Sequence, residues 1–210
     1  MKFDDTSILR LRSAVGELIS KERYHHTLGV EKAATQIAEK CLPDKIYQIR
    51  VAALLHDISK EYSVAEQLDF IKTAEVPCTE DDLMSPPVFH SLTAPVIIRR
   101  DFSEYADDDV LSAVLYHTTG APNMSIFDEI IFVADYVEDG RRYHECQSVR
   151  RELFDRLYVS RGVEECISVL HKATVSTLNN TIVRVVNSGK FLHPKTILTR
   201  NAFLVKRYAR

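Results

Sequence analysis

Apolar residues recur at helical spacing along almost the whole chain. Ile8, Leu11, Val15 and Leu18 mark one amphipathic helix, and Val30, Ala33, Ala34, Ile37, Ala38 and Cys41 mark a second that ends at the Leu42-Pro43-Asp44 break. Asp44 is placed to cap a third helix carrying Ile46, Ile49, Ala53 and Leu54. Ser63 and Glu66 have capping-box spacing at the start of a fourth. Pro86-Pro87 can open a fifth, in which Pro95 should kink or restart the helix because it lacks an N–H. The acidic run Asp107-Asp108-Asp109 suits the positive end of a sixth helix finishing near His117. After the turn-forming Thr119-Gly120-Ala121-Pro122-Asn123, Ser125 and Asp128 again pair as a capping box, opening a helix with Ile126, Ile130, Val133, Ala134 and Val137 as its apolar positions. From Gly162 to Gly189, Val163, Ile167, Leu170, Thr174, Leu178, Ile182 and Val186 read as one long helix, followed by a turn containing His193-Pro194. No segment alternates with the period of a strand, and no repeat, low-complexity tract or Gly/Ser linker interrupts the pattern. The pattern predicts an all-α fold, residues 1–210 forming one domain with a C-terminal helical extension.

Composition agrees with a packed domain. Of 210 residues, 45% are hydrophobic and 27% charged, ordinary values that argue against disorder or a coiled coil. A chain of this length buries roughly 70% of its unfolded surface, so it needs no staple merely to fold. Charge then narrows the partners. Lys plus Arg number 27 against 30 Asp plus Glu, a net of −3 with an isoelectric point near 6.2. Both signs are interspersed, whereas a nucleic-acid coat or a polybasic membrane anchor needs clustered positive charge, so neither nucleic acid nor membrane is an expected partner. Any anionic substrate must be met by local cations. Cys41, Cys78, Cys146 and Cys166 are scattered without a C-x-x-C, the start Met-Lys-Phe-Asp-Asp lacks the apolar stretch of a signal peptide, and no uncharged apolar run approaches the roughly 20 residues of a membrane span. The expected setting is a reducing cytoplasm.

The informative residues are polar groups set in apolar surroundings. A His-Asp dipeptide arises readily by chance, but His56-Asp57 follows the apolar run Val51-Ala52-Ala53-Leu54-Leu55 at a predicted helix end. A carboxylate buried there is costly unless a cation neutralises it. His26 at the start of an Ala-rich helix, His90 after Pro86-Pro87-Val88-Phe89, and His117 at a helix end sit in similar places. For each histidine alone, an ordinary hydrogen-bonded core imidazole is the competing explanation. Asp135, following Ile131-Phe132-Val133-Ala134 inside a helix, needs a partner and points more strongly to a metal or active site. Arg99-Arg100 and the tail residues Lys206, Arg207 and Arg210 have no such context and are expected on solvated faces.

The order His26, His56-Asp57, Asp135 resembles the H…HD…D pattern of HD-domain metal-dependent phosphohydrolases, whose fold is an all-α bundle. The chain is most similar in pattern to the bacterial YqeK-type proteins of that family, which act as symmetrical bis(5'-nucleosyl)-tetraphosphatases. The blocks carrying the resemblance run from residue 23 to residue 201: Arg23 to Val30, Leu54 to Glu61, Phe89-His90, His117 to Gly120, Ala134 to Glu138 with Arg141, His193 to Thr196, and Arg200-Asn201. The chain departs from the family where Asp139-Gly140 follows Glu138 in place of a proline, and where Pro95 replaces a smaller residue. Of the neighbours His25 and His26, the one standing before Thr27-Leu28-Gly29-Val30 fits the motif.

The resemblance implies a metal-binding core over about 20–140 and a helical extension over about 141–210. It implies His26, His56, Asp57 and Asp135 as metal ligands, with His90 and His117 either holding a second metal or bonding phosphates. It implies iron, and an imidazole and carboxylate set equally suits Mn, Co or Zn, as one or two divalent ions. Catalytic roles fall to Asp57, Lys60, His90 and His117, and substrate contacts to Arg23, Lys60, His90, His117, Thr118, Tyr136 and Arg141. A lone lysine such as Lys60 would otherwise be read as a solvated charge. The implied reaction is cleavage of diadenosine tetraphosphate into two ADP by metal-activated water, with a homodimer left open. Other nucleotides, whether nucleoside monophosphates, deoxynucleoside triphosphates or cyclic dinucleotides, remain alternative substrates, and a non-catalytic nucleotide-binding regulator remains an alternative function. Phosphate-loop, dinucleotide-fold and serine-hydrolase motifs are absent from the sequence.

Overall fold

A computed structural model describes residues 3–208, with side chains through residue 205. The chain runs through α1 (Asp5–Leu18), α2 (Lys21–Cys41), α3 (Ile46–Leu55), α4 (Val64–Thr73), α5 (Glu80–Leu83), α6 (Phe89–Asp101), α7 (Asp108–Tyr116), α8 (Ile126–Val137), α9 (His144–Val159), α10 (Val163–Asn187) and α11 (Pro194–Tyr208), with no strand among the described residues. The all-α expectation therefore stands. The capping signals act where the sequence puts them. Ser63 and Glu66 close a capping box on α4, and Ser125 and Asp128 close one on α8. Asp107 accepts from the Asp109 N–H to open α7.

Helices α2, α3, α7 and α8 pack on one another around a continuous apolar core, and α10 lies across α2 and α8 while carrying α9 and α11. The core reaches from Phe3 to Phe203. Helix α8 is buried nearly all round, with Ile130, Ile131, Val133 and Ala134 fully enclosed. Each large apolar side chain removed from water contributes about 1.5–3 kcal/mol, which fixes the axis of α8 and with it the direction of Asp135. A smaller cluster of Ile71, Val76, Val88, Phe89 and Leu92 joins α4 to α6.

Several local expectations are corrected. Leu18 is exposed at the end of α1, so the apolar face of that helix stops at Val15. Asp44 caps nothing: Pro43–Lys45 form a 3-10 turn, and α3 begins at Ile46 without a side-chain cap. Pro86–Val88 form a second 3-10 turn and α6 starts at Phe89, running unbroken through Pro95. Burial of both flanks of α6 outweighs the single N–H that proline forgoes. Val163 and Val186 lie exposed at the two ends of α10. Pro194 is the first residue of α11 rather than part of a plain turn. Helix α9, which the pattern reading passed over, buries Cys146, Val149, Leu153 and Leu157.

Arg99 and Arg100 are exposed as expected, while the side chains of Lys206, Arg207 and Arg210 lie outside the described residues. Cys41, Cys146 and Cys166 are buried and Cys78 is exposed, all as free thiols. No described helix is long and apolar enough to cross a membrane.

The Ser125 cap carries a stability consequence. Its hydroxyl bonds the Asp128 carboxylate at 2.9 Å and accepts the Asp128 N–H at 3.2 Å. Ser125→Ala should cost about 1 kcal/mol and lower the thermal midpoint by roughly 2–4 °C, measured by calorimetry.

Candidate functional site

Two histidines are aimed by the same local device. His56 directly follows α3 and His117 directly follows α7, and each turns its Nδ1 back onto a carbonyl three residues earlier: Ala53 O at 2.7 Å and Val114 O at 2.6 Å. A carbonyl oxygen only accepts, so Nδ1 carries the proton in both rings and each Nε2 keeps its lone pair. Both Nε2 atoms face Asp57, at 3.5 Å from Oδ2 for His56 and 3.6 Å from Oδ1 for His117. His26, from the first turns of α2, adds its Nε2 at 3.7 Å from Asp57 Oδ2 and 3.1 Å from Asp135 Oδ1. The structure thus brings His26, His56, Asp57 and Asp135 together, with His117 beside them, and leaves His25 exposed.

The donor set fits a metal ion. His26 Nε2 and His56 Nε2 are buried without a hydrogen bond. His26, His56 and Asp135 offer ligand atoms within 4.8 Å of one another, as do His56, Asp57 and His117. Ligands on one ion stand roughly 3–4 Å apart, given bond lengths near 2.1 Å, so either group needs only a small contraction. The His56 lone pair, unpaired in a buried site next to two carboxylates, is what a divalent cation would satisfy, and His26 can add its own on losing a proton.

Cations surround the carboxylates from the cavity side. Arg23 NH1 bonds Asp57 Oδ2 at 2.7 Å, and Arg141 NH2 bonds Asp135 Oδ1 at 2.6 Å while its Nε donates to the Asp135 carbonyl at 3.0 Å. Arg141 therefore stands at the cluster despite the Asp139-Gly140 departure. Lys60 is not a solvated surface charge. Its Nζ is 3.0 Å from His90 Nδ1, and burial pulls its pKa down. His90 Nε2 in turn lies 2.9 Å from His117 Nε2 and 3.3 Å from Asp57 Oδ1. Because His117 Nε2 is an acceptor, His90 carries its proton on Nε2, while Lys60 Nζ lies 3.0 Å from His90 Nδ1 and 3.1 Å from Nε2. Thr118 Oγ1 is 3.2 Å from both of these Nε2 atoms. Tyr136 is buried on the cavity wall, and burial, with Cys146 alongside, pushes its hydroxyl pKa up.

The protonation pattern follows from burial and charge. Burial pushes His56 down to about 4 and holds His90 well below the ordinary imidazole range. For Asp57, burial favours the neutral acid, but the neighbouring imidazoles and Lys60 prevail and keep it ionised. At Asp135, burial is likewise overcome by Arg141 and His26. Burial also opposes a charge on His26, yet the facing carboxylates of Asp135 and Glu138 raise it to about 9.

Glu138 is the residue that sequence reasoning left out of the site. Its Oε1 lies 3.2 Å from His26 Nδ1, orienting the ring as a carboxylate partner orients a metal-binding imidazole. Gly29 makes this possible: a Cβ there would stand 2.5 Å from Glu138 Oε2. The signal was the glycine itself, in Thr27-Leu28-Gly29-Val30, kept in a helix interior where it costs about 1 kcal/mol. Arg150, on α9, donates to the Val137 carbonyl at 2.5 Å, to the Arg141 carbonyl at 2.9 Å and to the Glu138 carbonyl, tying down the end of α8. Behind the cluster lies a cavity of about 340 Å³, bounded by Thr118, Phe132 and Tyr136 on one side and by Arg184, Phe191 and Thr196 of α10, α11 and their connector on the other. The wall drawn from residues 184–196 was also outside the sequence-based site.

A helical bundle that gathers His26, His56, Asp57 and Asp135 onto one point defines a recognisable class, and residues 23–140 match the family model described as HD domain. The chain belongs to the HD-domain family. It is similar over 94% of its length, and over 96% of the other chain, to the crystal structure of a "predicted HD superfamily hydrolase involved in NAD metabolism" from Clostridium acetobutylicum, with 27% identity and a TM-score of 0.80. Comparison with curated proteins gives no match.

Metal loading should release protons in a countable way. At pH 7.5 the metal-free site holds His26 protonated and His56 neutral, while a ligating imidazole must be neutral. Titration with Mn²⁺ should therefore release about one proton per ion, read from the buffer dependence of the calorimetric enthalpy. His26→Ala should abolish both the metal and the proton release, whereas His25→Ala should leave both intact. The reverse pattern would overturn the assignment of His26.

Proposed function

We propose that the protein is a metal-dependent phosphohydrolase that cleaves dinucleoside tetraphosphates symmetrically, diadenosine tetraphosphate to two ADP. The observation carrying this reading is the convergence of Lys60, Arg23 and Arg141 on Asp57 and Asp135 where the cavity opens. A substrate bringing about four negative charges to a protein of net −3 needs such a local cluster of cations. A divalent transition metal, iron by family resemblance, would be held by His26, His56, Asp57 and Asp135, and His117 could share a second ion with Asp57. When bound, the metal supplies charge neutralisation and a water acidic enough to act near neutral pH.

The remaining work falls to this chain's own groups. Arg23 and Arg141 present planar guanidinium forks that orient phosphate oxygens beside the ligands. Lys60 lies against the His90 ring, 3.0 Å from Nδ1 and 3.1 Å from Nε2, and brings its charge to the phosphate site. There it can bond a phosphate oxygen of the departing ADP. Gripping the chain at its middle exposes a β-phosphorus to water; the bridging P–O bond breaks and its electron pair leaves with ADP. The buried free thiols fit a reducing cytoplasm. The C. acetobutylicum neighbour is described as involved in NAD metabolism, which favours a second reading in which the same site hydrolyses another nucleotide.

One product assay tests the first reading. Metal-replete protein incubated with diadenosine tetraphosphate should yield ADP alone by chromatography, while equal amounts of ATP and AMP would overturn symmetrical cleavage. Lys60→Ala should lower the maximal rate by on the order of 10²-fold, as for loss of one preorganised donor, with the product pair unchanged. An unchanged rate would remove Lys60 from the chemistry.

A further inference from the structure

The inner cavity is not the only approach to the His/Asp cluster. Next to it lies a more open groove of about 570 Å³, walled by Arg23, His25 and His26 from α2 and by Arg141, Arg142 and Tyr143 from the connector between α8 and α9. Arg23 and Arg141 border both spaces. They are also the two guanidiniums bonded to Asp57 and Asp135. The partition between cavity and groove is therefore the cluster itself with its two arginines.

This arrangement matters for a ligand gripped at its centre. A cavity of about 340 Å³ is at the small end of ligand pockets, which run from roughly 300 to 1,000 Å³, and offers room for one nucleotide arm. The other arm has to leave past Arg23 and Arg141, and the groove is what it meets. There Tyr143 is 59% exposed. The Arg184 guanidinium, which also lines the inner cavity, stands 5.9 Å from the centre of the Tyr143 ring. That contact steadies the ring without covering it. Arg142 and His25, both exposed, add polar groups at the groove's edge.

We propose that this outer groove is a second nucleoside subsite, in which Tyr143 stacks on the base of the substrate's distal arm. The inference rests on the reading of the substrate as a dinucleoside polyphosphate. It assigns the two ends of one ligand to two separate chambers, with the phosphate chain spanning the arginine partition. An aromatic platform accepts any base, so the groove contributes length recognition more than base identity.

The test compares a two-armed ligand with a one-armed one. Calorimetric titration of metal-replete protein with the non-hydrolysable analogue of diadenosine tetraphosphate bearing a methylene between its central phosphorus atoms should show the affinity falling roughly 5- to 100-fold in Tyr143→Ala, as for loss of one stacked base. Tyr143→Phe should retain the affinity, and the affinity for ADP should be the same in all three proteins. Unchanged analogue affinity in Tyr143→Ala, or an equal loss for analogue and ADP, would overturn the second subsite. If unmodified protein cleaves the parent compound to ADP while the Tyr143 variants bind the analogue normally, only this inference falls. If it neither cleaves the parent nor binds the analogue, the functional reading falls with it.

Discussion

Two carboxylates, Asp57 and Asp135, are held ionised inside an apolar helical bundle, and most of the surrounding structure exists to permit that. Isolated burial of either would cost far more than a protein of ordinary stability can spare. Arg23 and Arg141 supply one half of the compensation, each with a direct bond of 2.7 Å or shorter. The imidazoles supply the other half only in part, because His56 and His90 are driven neutral by the same burial. The cluster therefore retains a bare lone pair on His56 Nε2, 3.5 Å from the Asp57 oxygen that Arg23 also bonds. A divalent cation is the group that satisfies both, and a ligand phosphate is the group that the arginines would otherwise seek.

Rigidity comes from helix ends rather than from loops. His56 and His117 occupy equivalent positions just past α3 and α7, where the last carbonyls of a helix are free to accept from a side chain. Each ring satisfies one such carbonyl and in doing so fixes its tautomer and its direction. The end of α8 is secured differently: Arg150 spans the carbonyls of Val137, Glu138 and Arg141, doing the work that a proline after Glu138 would do by restricting the backbone. Because Arg141 also anchors on Asp135, the α8–α9 connector is pinned at both edges, and the groove beside Tyr143 inherits its shape from that connector.

How much of this the sequence discloses depends on the range of the interaction involved. Capping boxes at Ser63 and Ser125 are contained within four residues, so their presence is readable and their outcome is as expected. His26, His56, Asp57 and Asp135 are readable because a polar residue on an apolar helix stripe is conspicuous wherever the helix goes. Asp44 misleads because a proline just before it diverts the chain into a 3-10 turn, which changes where the helix starts. Helix α9 was within reach, since Cys146, Val149, Leu153 and Leu157 keep helical spacing, but its charged remainder hides the stripe. Glu138 and Arg150 act through contacts across 112 and 12 residues respectively, and no local pattern announces them.

The C-terminal helices illustrate the remaining gap between fold and specificity. They lie outside the segment matching the HD-domain model, yet Arg184, Phe191 and Thr196 close the inner cavity. Their hold on the bundle is partly polar: buried His193 bonds Asp82 Oδ1 at 2.9 Å, tying the α10–α11 connector to α5. At the other face of α11, Thr199 packs so close to Gly120 that a Cβ there would stand 2.8 Å from its methyl, and the positive φ of 69° at Gly120 excludes most side chains independently. Gly120 follows Thr118 and Thr119, so docking of α11 bears directly on the turn that positions Thr118 against His90 and His117. The metal-competent centre is thus a property of the α2, α3 and α8 core. The far wall of the chamber beside it, which bears on the ligand it admits, is drawn from Arg184, Phe191 and Thr196, more than forty residues beyond the end of α8.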